Sequence, residues 1–138
     1  MRSLRILGAI AAISLIALSV MLPARAPSAS AAAGTWTGQY FNNKTVTGTP
    51  VLTRDDGATL DFTWAGSAGA GVNPDNFSVR WQKTDTYAAS TYRFTVIADD
   101  GIRVWVDSTL ILDQWIDQAP TTYTVNTAIS AGPHTVKV

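Results

Sequence analysis

Apolar and polar residues alternate with a period of two along most of the chain after residue 35, a pattern that predicts β-strands. In the segment FSVRWQK, Phe77, Val79 and Trp81 fall on one face and the polar residues between them fall on the other. The segment TYRFTVIA repeats this alternation, and no segment shows a convincing helical period. The other strand-like segments are TWTGQYF, ATLDFTW, IRVWVD, LILDQW, TTYTVN and HTVKV.

Short strands that are separated by Gly, Asp and Pro turns predict an all-β fold, either an antiparallel β-sandwich or a barrel. The last segment, HTVKV, runs to the chain end at Val138 without a turn or a polar tail. We therefore expect the C-terminal strands to be truncated and the chain to be part of a longer multidomain protein.

The first 33 residues have the layout of a secretory signal peptide. Two arginines precede an uncharged apolar run, residues 6–22, and the small-residue stretch PARAPSASAAAG follows. Cleavage sites are predicted after residue 31 or residue 33. The alternative is an uncleaved anchor, because the run reaches the short end of a membrane span. Cleavage is favoured, which leaves residues 34–138 as one domain, secreted or at the cell surface, without a membrane segment.

The composition of residues 34–138 excludes some partners and some stabilising devices. Seven basic residues stand against ten aspartates, so the net charge is near −3, and this argues against nucleic acid as a partner. The chain has no cysteine. Core packing or a bound ion must therefore stabilise the domain without disulfides.

The segment VIADDGIRVWVD contains two adjacent carboxylates, Asp99 and Asp100, followed by Gly101. Asp-Gly between two alternating runs predicts a hairpin turn and needs no function. The chain contains a second copy of this sequence, Asp55-Asp56-Gly57. Alternatively, a bent backbone or a cis peptide bond brings both carboxylates onto one cation. With oxygen ligands alone the predicted ion is calcium, although two carboxylates are too few for its coordination shell.

The residues that could carry catalysis are few, and we expect no enzyme. His134, the one histidine, alternates in phase with Val136, so a packed structural role is expected. Adjacent aspartates also lack the separation that glycosidase chemistry requires. Trp105, which is out of phase with its apolar neighbours, and Trp115, which ends a strand, are candidates for stacking against sugar rings.

Five segments resemble, in chain order, the protective-antigen-type domain family (PA-fourteen). These are GQYFNN, VLTRDDGATLDFTW, NPDNFSVRWQ, TYRFTVIADDGIRVWVDSTLILDQW and GPHTVKV, and the match extends over about residues 35–138. The resemblance implies a β-sandwich of the kind found in secreted glycosidases, yeast flocculins, bacterial adhesins and toxins. Many members bind carbohydrate, and in lectin-like members the paired aspartates bind calcium, which contacts sugar hydroxyls.

Carried onto this chain, the resemblance implies that Asp99 and Asp100 are calcium ligands. With Gly101, which would permit the backbone turn, and Trp115 they would form the ligand-binding site. It leaves Asp55-Asp56 as an ordinary turn. In lectin-like members further calcium ligands come from a loop after the strand that HTVKV resembles, so we expect this sequence to hold only half of the metal site.

The leading hypothesis from the sequence is a secreted, non-catalytic, calcium-dependent carbohydrate-binding module whose partners are glycans or cell-surface polysaccharide. The alternative is a structural or protein-interaction module of a larger secreted enzyme or toxin-like protein, in which Asp99–Gly101 is a turn without a metal.

Overall fold

The computed structural model describes residues 34–138, so the predicted signal peptide, residues 1–33, lies outside the described residues. The strands are β1 (Thr37–Phe41), β2 (Leu52–Asp55), β3 (Ser78–Tyr87), β4 (Ser90–Ala98), β5 (Ile102–Val106), β6 (Thr109–Gln114), β7 (Thr121–Ile129) and β8 (Gly132–Lys137). No helix between residues 34 and 138 has the length and apolar character needed to cross a membrane.

The strands form two antiparallel sheets, which confirms the predicted all-β fold and is consistent with a sandwich. The larger sheet has the order β2-β1-β3-β8-β5-β6, and the smaller sheet consists of β4 and β7. Strand β8 therefore lies between β3 and β5 in the sheet, although the three strands are not consecutive along the chain. Lys137 pairs with Gln82 of β3 on one side and with Trp105 of β5 on the other.

Two apolar clusters make up the core of residues 34–138. The first contains Val104, Val106 and Val136 of the larger sheet with Ile129 of β7, all of them buried, and so joins the two sheets. The second is built around Tyr40 of β1, which is fully buried against residues of the connection between β2 and β3. Alternation in the sequence predicted the inward position of Val104 and Val106, because a strand buries every second side chain.

The strand expected at ATLDFTW is absent, because residues 59–64 of this segment have no regular secondary structure. Side-chain exposure still alternates there, and Phe62 and Trp64 lie nearly parallel to Trp81, with ring centroids 5.8 and 6.2 Å away. The prediction was wrong because alternation reports which side chains are buried. It does not report whether a neighbouring strand pairs with the backbone.

Candidate functional site

The predicted site turn, Asp99-Asp100, joins β4 to β5 with both side chains exposed. The peptide bond between the two residues is cis. The Gln118 backbone N–H donates to Asp100 Oδ1 at 3.3 Å, and the Gln118 side-chain amide donates to the Asp100 carbonyl at 2.8 Å. Within residues 34–138 no group of three or more His, Asp or Glu side chains could hold a metal. Calcium binding by Asp99 and Asp100 therefore stays a prediction.

Gly101 connects this turn to Trp115 by close backbone packing. A Cβ atom at position 101 would lie 2.9 Å from the Ile116 nitrogen and 3.0 Å from the Trp115 Cα. Gly101 is not among the glycines with positive φ. The glycine provides space for residues 114–116, and its place in a ligand-binding site stays a prediction.

The two candidate tryptophans lie on the outer face of the larger sheet, each beside a cation. The Lys137 ammonium is 4.2 Å from the ring centroid of Trp105. The Arg103 guanidinium is 5.0 Å from the ring centroid of Trp115, and Arg103 also donates to Asp113 at 2.8 Å. The out-of-phase position of Trp105 correctly predicted its face, whereas no signal in the sequence marked the two neighbouring cations. They stand among the polar positions of alternating strands, a pattern that ordinarily indicates a solvated face.

The second Asp-Asp-Gly sequence is not an ordinary turn, which corrects the expectation for Asp55-Asp56. The Asp56 side chain is only 2 % exposed. Its carboxylate accepts hydrogen bonds from Tyr40 Oη at 2.8 Å, Trp81 Nε1 at 2.7 Å and Arg54 Nε at 2.5 Å. Only Asp55 behaves as a turn residue, since its exposed side chain accepts from the Gly57 N–H at 2.8 Å.

The Asp56 carboxylate packs against strand β1 at Gly38, where no side chain occupies the space. A Cβ atom on Gly38 would lie 2.0 Å from Asp56 Oδ2, so no other residue fits at position 38 without displacing the carboxylate. The signal in the sequence was this glycine inside a strand, which often marks the close approach of another group.

The hydrogen bonds at Asp56 also set its charge state. Burial favours the neutral acid, but the donors Arg54, Tyr40 and Trp81 outweigh burial and hold the pKa of Asp56 below its ordinary value. Burial, together with the hydrogen bond to Asp56, raises the pKa of Tyr40 to about 12. Asp56 is therefore a buried anion that organises the core.

His134 has the structural role that its phase predicted. Its Nδ1 lies 2.7 Å from Asp107 Oδ2 and its Nε2 lies 3.0 Å from Ser130 Oγ, so the ring joins two turns. Asp107, which has a φ of 55°, also accepts from the Thr135 N–H at 2.9 Å. The hydrogen bonds from His134 and Thr135 hold the pKa of the Asp107 carboxyl below its ordinary value.

This chain is similar to one family model and to a curated protein. The family model described as PA14 domain matches residues 31–138. A curated protein, the anti-sigma-I factor RsgI3 of Acetivibrio thermocellus, is 33 % identical over 97 residues, which are 69 % of this chain and 15 % of that protein. The chain therefore spans less than a fifth of the length of this relative.

Two solved structures share the fold. An anti-sigma factor domain-containing protein is 31 % identical with a TM-score of 0.66, over 75 % of this chain and 37 % of that chain. An anti-sigma factor domain-containing protein from Clostridium clariflavum is 28 % identical with a TM-score of 0.60, over 75 % of this chain and 36 % of that chain.

These relatives correct the functional hypothesis drawn from the sequence. A lectin-like, calcium-dependent carbohydrate-binding module with glycan partners is not what they indicate, because their names are those of anti-sigma factors. The hypothesis was wrong because it transferred the function of some family members to a fold that serves several functions. The relatives agree with the expectation that the chain is not an enzyme. The family itself is the one that the five segments resemble, and this chain belongs to the PA14 domain family.

Proposed function

We propose that this chain is a non-catalytic regulatory module of an anti-sigma-type protein. The observation that carries the proposal is the similarity, at 28 to 33 % identity, to one curated anti-sigma factor and two solved anti-sigma factor domain-containing proteins. The partner of the parent protein is then a sigma factor, in place of the glycans expected from the sequence.

The module itself lies outside the cytoplasm in this proposal. Support comes from residues 1–33, whose basic start, apolar run and small residues predict export. A sigma factor acts inside the cell, so the exported module regulates it indirectly, through the rest of the parent protein. The composition suits this role, because a folded domain with a net charge near −3 has no electrostatic reason to bind nucleic acid.

A replacement experiment tests the proposal. The segment of the Acetivibrio thermocellus anti-sigma-I factor that matches this chain is deleted in one strain and replaced by residues 34–138 in another. Transcription from a promoter that depends on the cognate sigma factor is then measured with a reporter. We expect the deletion to change reporter output and the replacement to restore the level of the native protein. Immunoblotting confirms that all versions accumulate equally.

Two results would refute the proposal. One is a deletion that leaves reporter output unchanged, since the segment would then have no part in regulation. The other is a replacement that behaves like the deletion although the protein accumulates normally. A replacement that carries Asp55→Ala is the matched control, because this exposed aspartate should be dispensable.

A further inference from the structure

The outer face of the larger sheet carries a cavity of about 220 Å³. Strands β3, β5 and β8 contribute to it, together with the loop between β1 and β2 and the residues that directly follow β6 and β8. Its charged residues are Arg80 of β3, Arg103 of β5 and Lys137 of β8, and its aromatic residues are Trp105 and Trp115. Because β8 lies between β3 and β5, these side chains converge although they are far apart in the sequence. We call this cavity the basic–aromatic pocket.

The pocket concentrates positive charge on an otherwise acidic domain. Residues 34–138 contain seven basic residues and ten aspartates, and three of the seven basic residues line this one cavity. Arg103 is paired with Asp113 at 2.8 Å. Among residues 34–138, neither Arg80 nor Lys137 has a carboxylate within 4.0 Å. Unpaired cations in a cleft attract anions, and the low-dielectric walls focus their field.

Arg80 is held in place by the neighbouring loop. One of its Nη atoms donates to the Val46 carbonyl at 3.0 Å. A guanidinium group has several further N–H donors in a planar fork that matches a carboxylate. Arg80 can therefore keep its bond to Val46 and still donate to an anion in the pocket.

The loop that holds Arg80 is itself fixed by a buried side chain. Ser78, which is 7 % exposed, accepts from the Val46 N–H at 3.1 Å and donates to the Asn43 carbonyl at 2.6 Å. These bonds hold Val46 at a φ of 56°, a conformation that β-branched residues rarely adopt. This wall of the pocket is thus built before any ligand arrives, which lowers the entropic cost of binding.

The tryptophans add apolar surface beside the cations. Lys137 and Arg103 lie over the rings of Trp105 and Trp115, at 4.2 and 5.0 Å from the centroids. A cavity of roughly 150 Å³ accommodates benzene, so this pocket has room for a single ring or a short aliphatic chain.

We propose that the basic–aromatic pocket binds a carboxylate carried on a small ring or on a short aliphatic body. Arg80 and Lys137 bind the carboxylate, and Trp105 and Trp115 contact the apolar part. Such a group can belong to a free small molecule or to an acidic side chain of a partner protein. The inference does not depend on the regulatory role proposed above, because it concerns binding by the purified protein.

Titration of the ¹⁵N-labelled protein with benzoate, followed by NMR, tests the proposal. We expect saturable shifts of the Trp105 and Trp115 indole N–H signals, while the neutral isostere benzamide binds at least tenfold more weakly. Arg80→Gln and Lys137→Gln should each weaken benzoate binding by about tenfold or more, since each removes a charged partner. Arg93→Gln is the matched control, because it removes the same charge on β4 in the smaller sheet and should leave the affinity unchanged.

Two further measurements distinguish a free small molecule from an acidic side chain of a partner protein, and replace a variant that does not fold. A capped hexapeptide of glutamates that binds at least tenfold more tightly than benzoate indicates a partner protein, and weaker binding indicates a free ligand. If Arg80→Gln does not fold, Lys137→Gln and Arg80→Lys replace it, and Arg80→Lys should lose affinity because it lacks the fork. The proposal is overturned if benzoate causes no saturable shift, if benzamide binds equally well, or if the pocket variants bind like Arg93→Gln.

Discussion

Replacement of Asp56 by alanine should destabilise this domain far more than replacement of its neighbour Asp55. Asp56→Ala removes the acceptor of Tyr40, Trp81 and Arg54 from a site where the carboxylate is 2 % exposed. A buried donor without a partner costs about 1–3 kcal/mol, and a buried charge that loses its counter-ion costs about 3–5 kcal/mol.

These costs overlap, because Arg54 keeps its hydrogen bond to the Ala68 carbonyl at 3.0 Å and its side chain is 33 % exposed. We therefore expect the free energy of unfolding to fall by about 4 kcal/mol, a large part of the 5–15 kcal/mol that is typical of such domains. For a domain of this size the melting temperature should fall by about 15–30 °C. Asp55→Ala loses exposed hydrogen bonds and should cost about 1 kcal/mol or less.

Urea unfolding followed by tryptophan fluorescence, with thermal melts as a second measurement, gives these free energies directly. A double variant, Arg54→Met with Asp56→Ala, should be less destabilised than the sum of its single changes, because it leaves no cation without a counter-ion. If the free energies of unfolding of Asp56→Ala and Asp55→Ala differ by less than about 1 kcal/mol, the buried role of Asp56 is refuted.

Three further predictions concern other parts of the domain. Gly101→Ala should lower the free energy of unfolding by about 1–3 kcal/mol, because the new Cβ would lie 2.9 Å from the Ile116 nitrogen. A thermal melt measures this, and an unchanged melting temperature would contradict the close packing. Between pH 10 and pH 12 the free energy of unfolding should decline by about 2–3 kcal/mol, because Tyr40 ionises near pH 10 in the unfolded chain but has a pKa of about 12 in the folded domain. Urea unfolding at each pH measures this decline. Tyr40→Phe should remove most of it. Ser78→Ala should lower the free energy of unfolding by about 1–3 kcal/mol, because it leaves the Asn43 carbonyl and the Val46 N–H without their buried partner. The control is Ser130→Ala, at an exposed position. Equal urea midpoints for the two variants would refute the prediction.

The sequence by itself determined the class of the fold and most of its elements. Alternation with a period of two shows which side chains are buried, and it predicted the inward faces of β3, β4 and β5 together with the outward face of Trp105. Five segments in a fixed order also identified the family, which the family model over residues 31–138 confirms. The segment ATLDFTW failed because its alternating residues pack on β3 without a strand to pair with.

The tertiary structure alone decided which polar residues act together. The two Asp-Asp-Gly sequences are spelled alike, yet Asp56 is a buried anion and Asp100 is an exposed turn residue. The difference arises because Asp56 meets Gly38, Tyr40 and Trp81 from strands that are distant in the chain. The basic–aromatic pocket likewise exists because β8 inserts between β3 and β5. Local patterns report burial, whereas contacts between distant segments depend on strand order, and strand order has no local signal in the sequence.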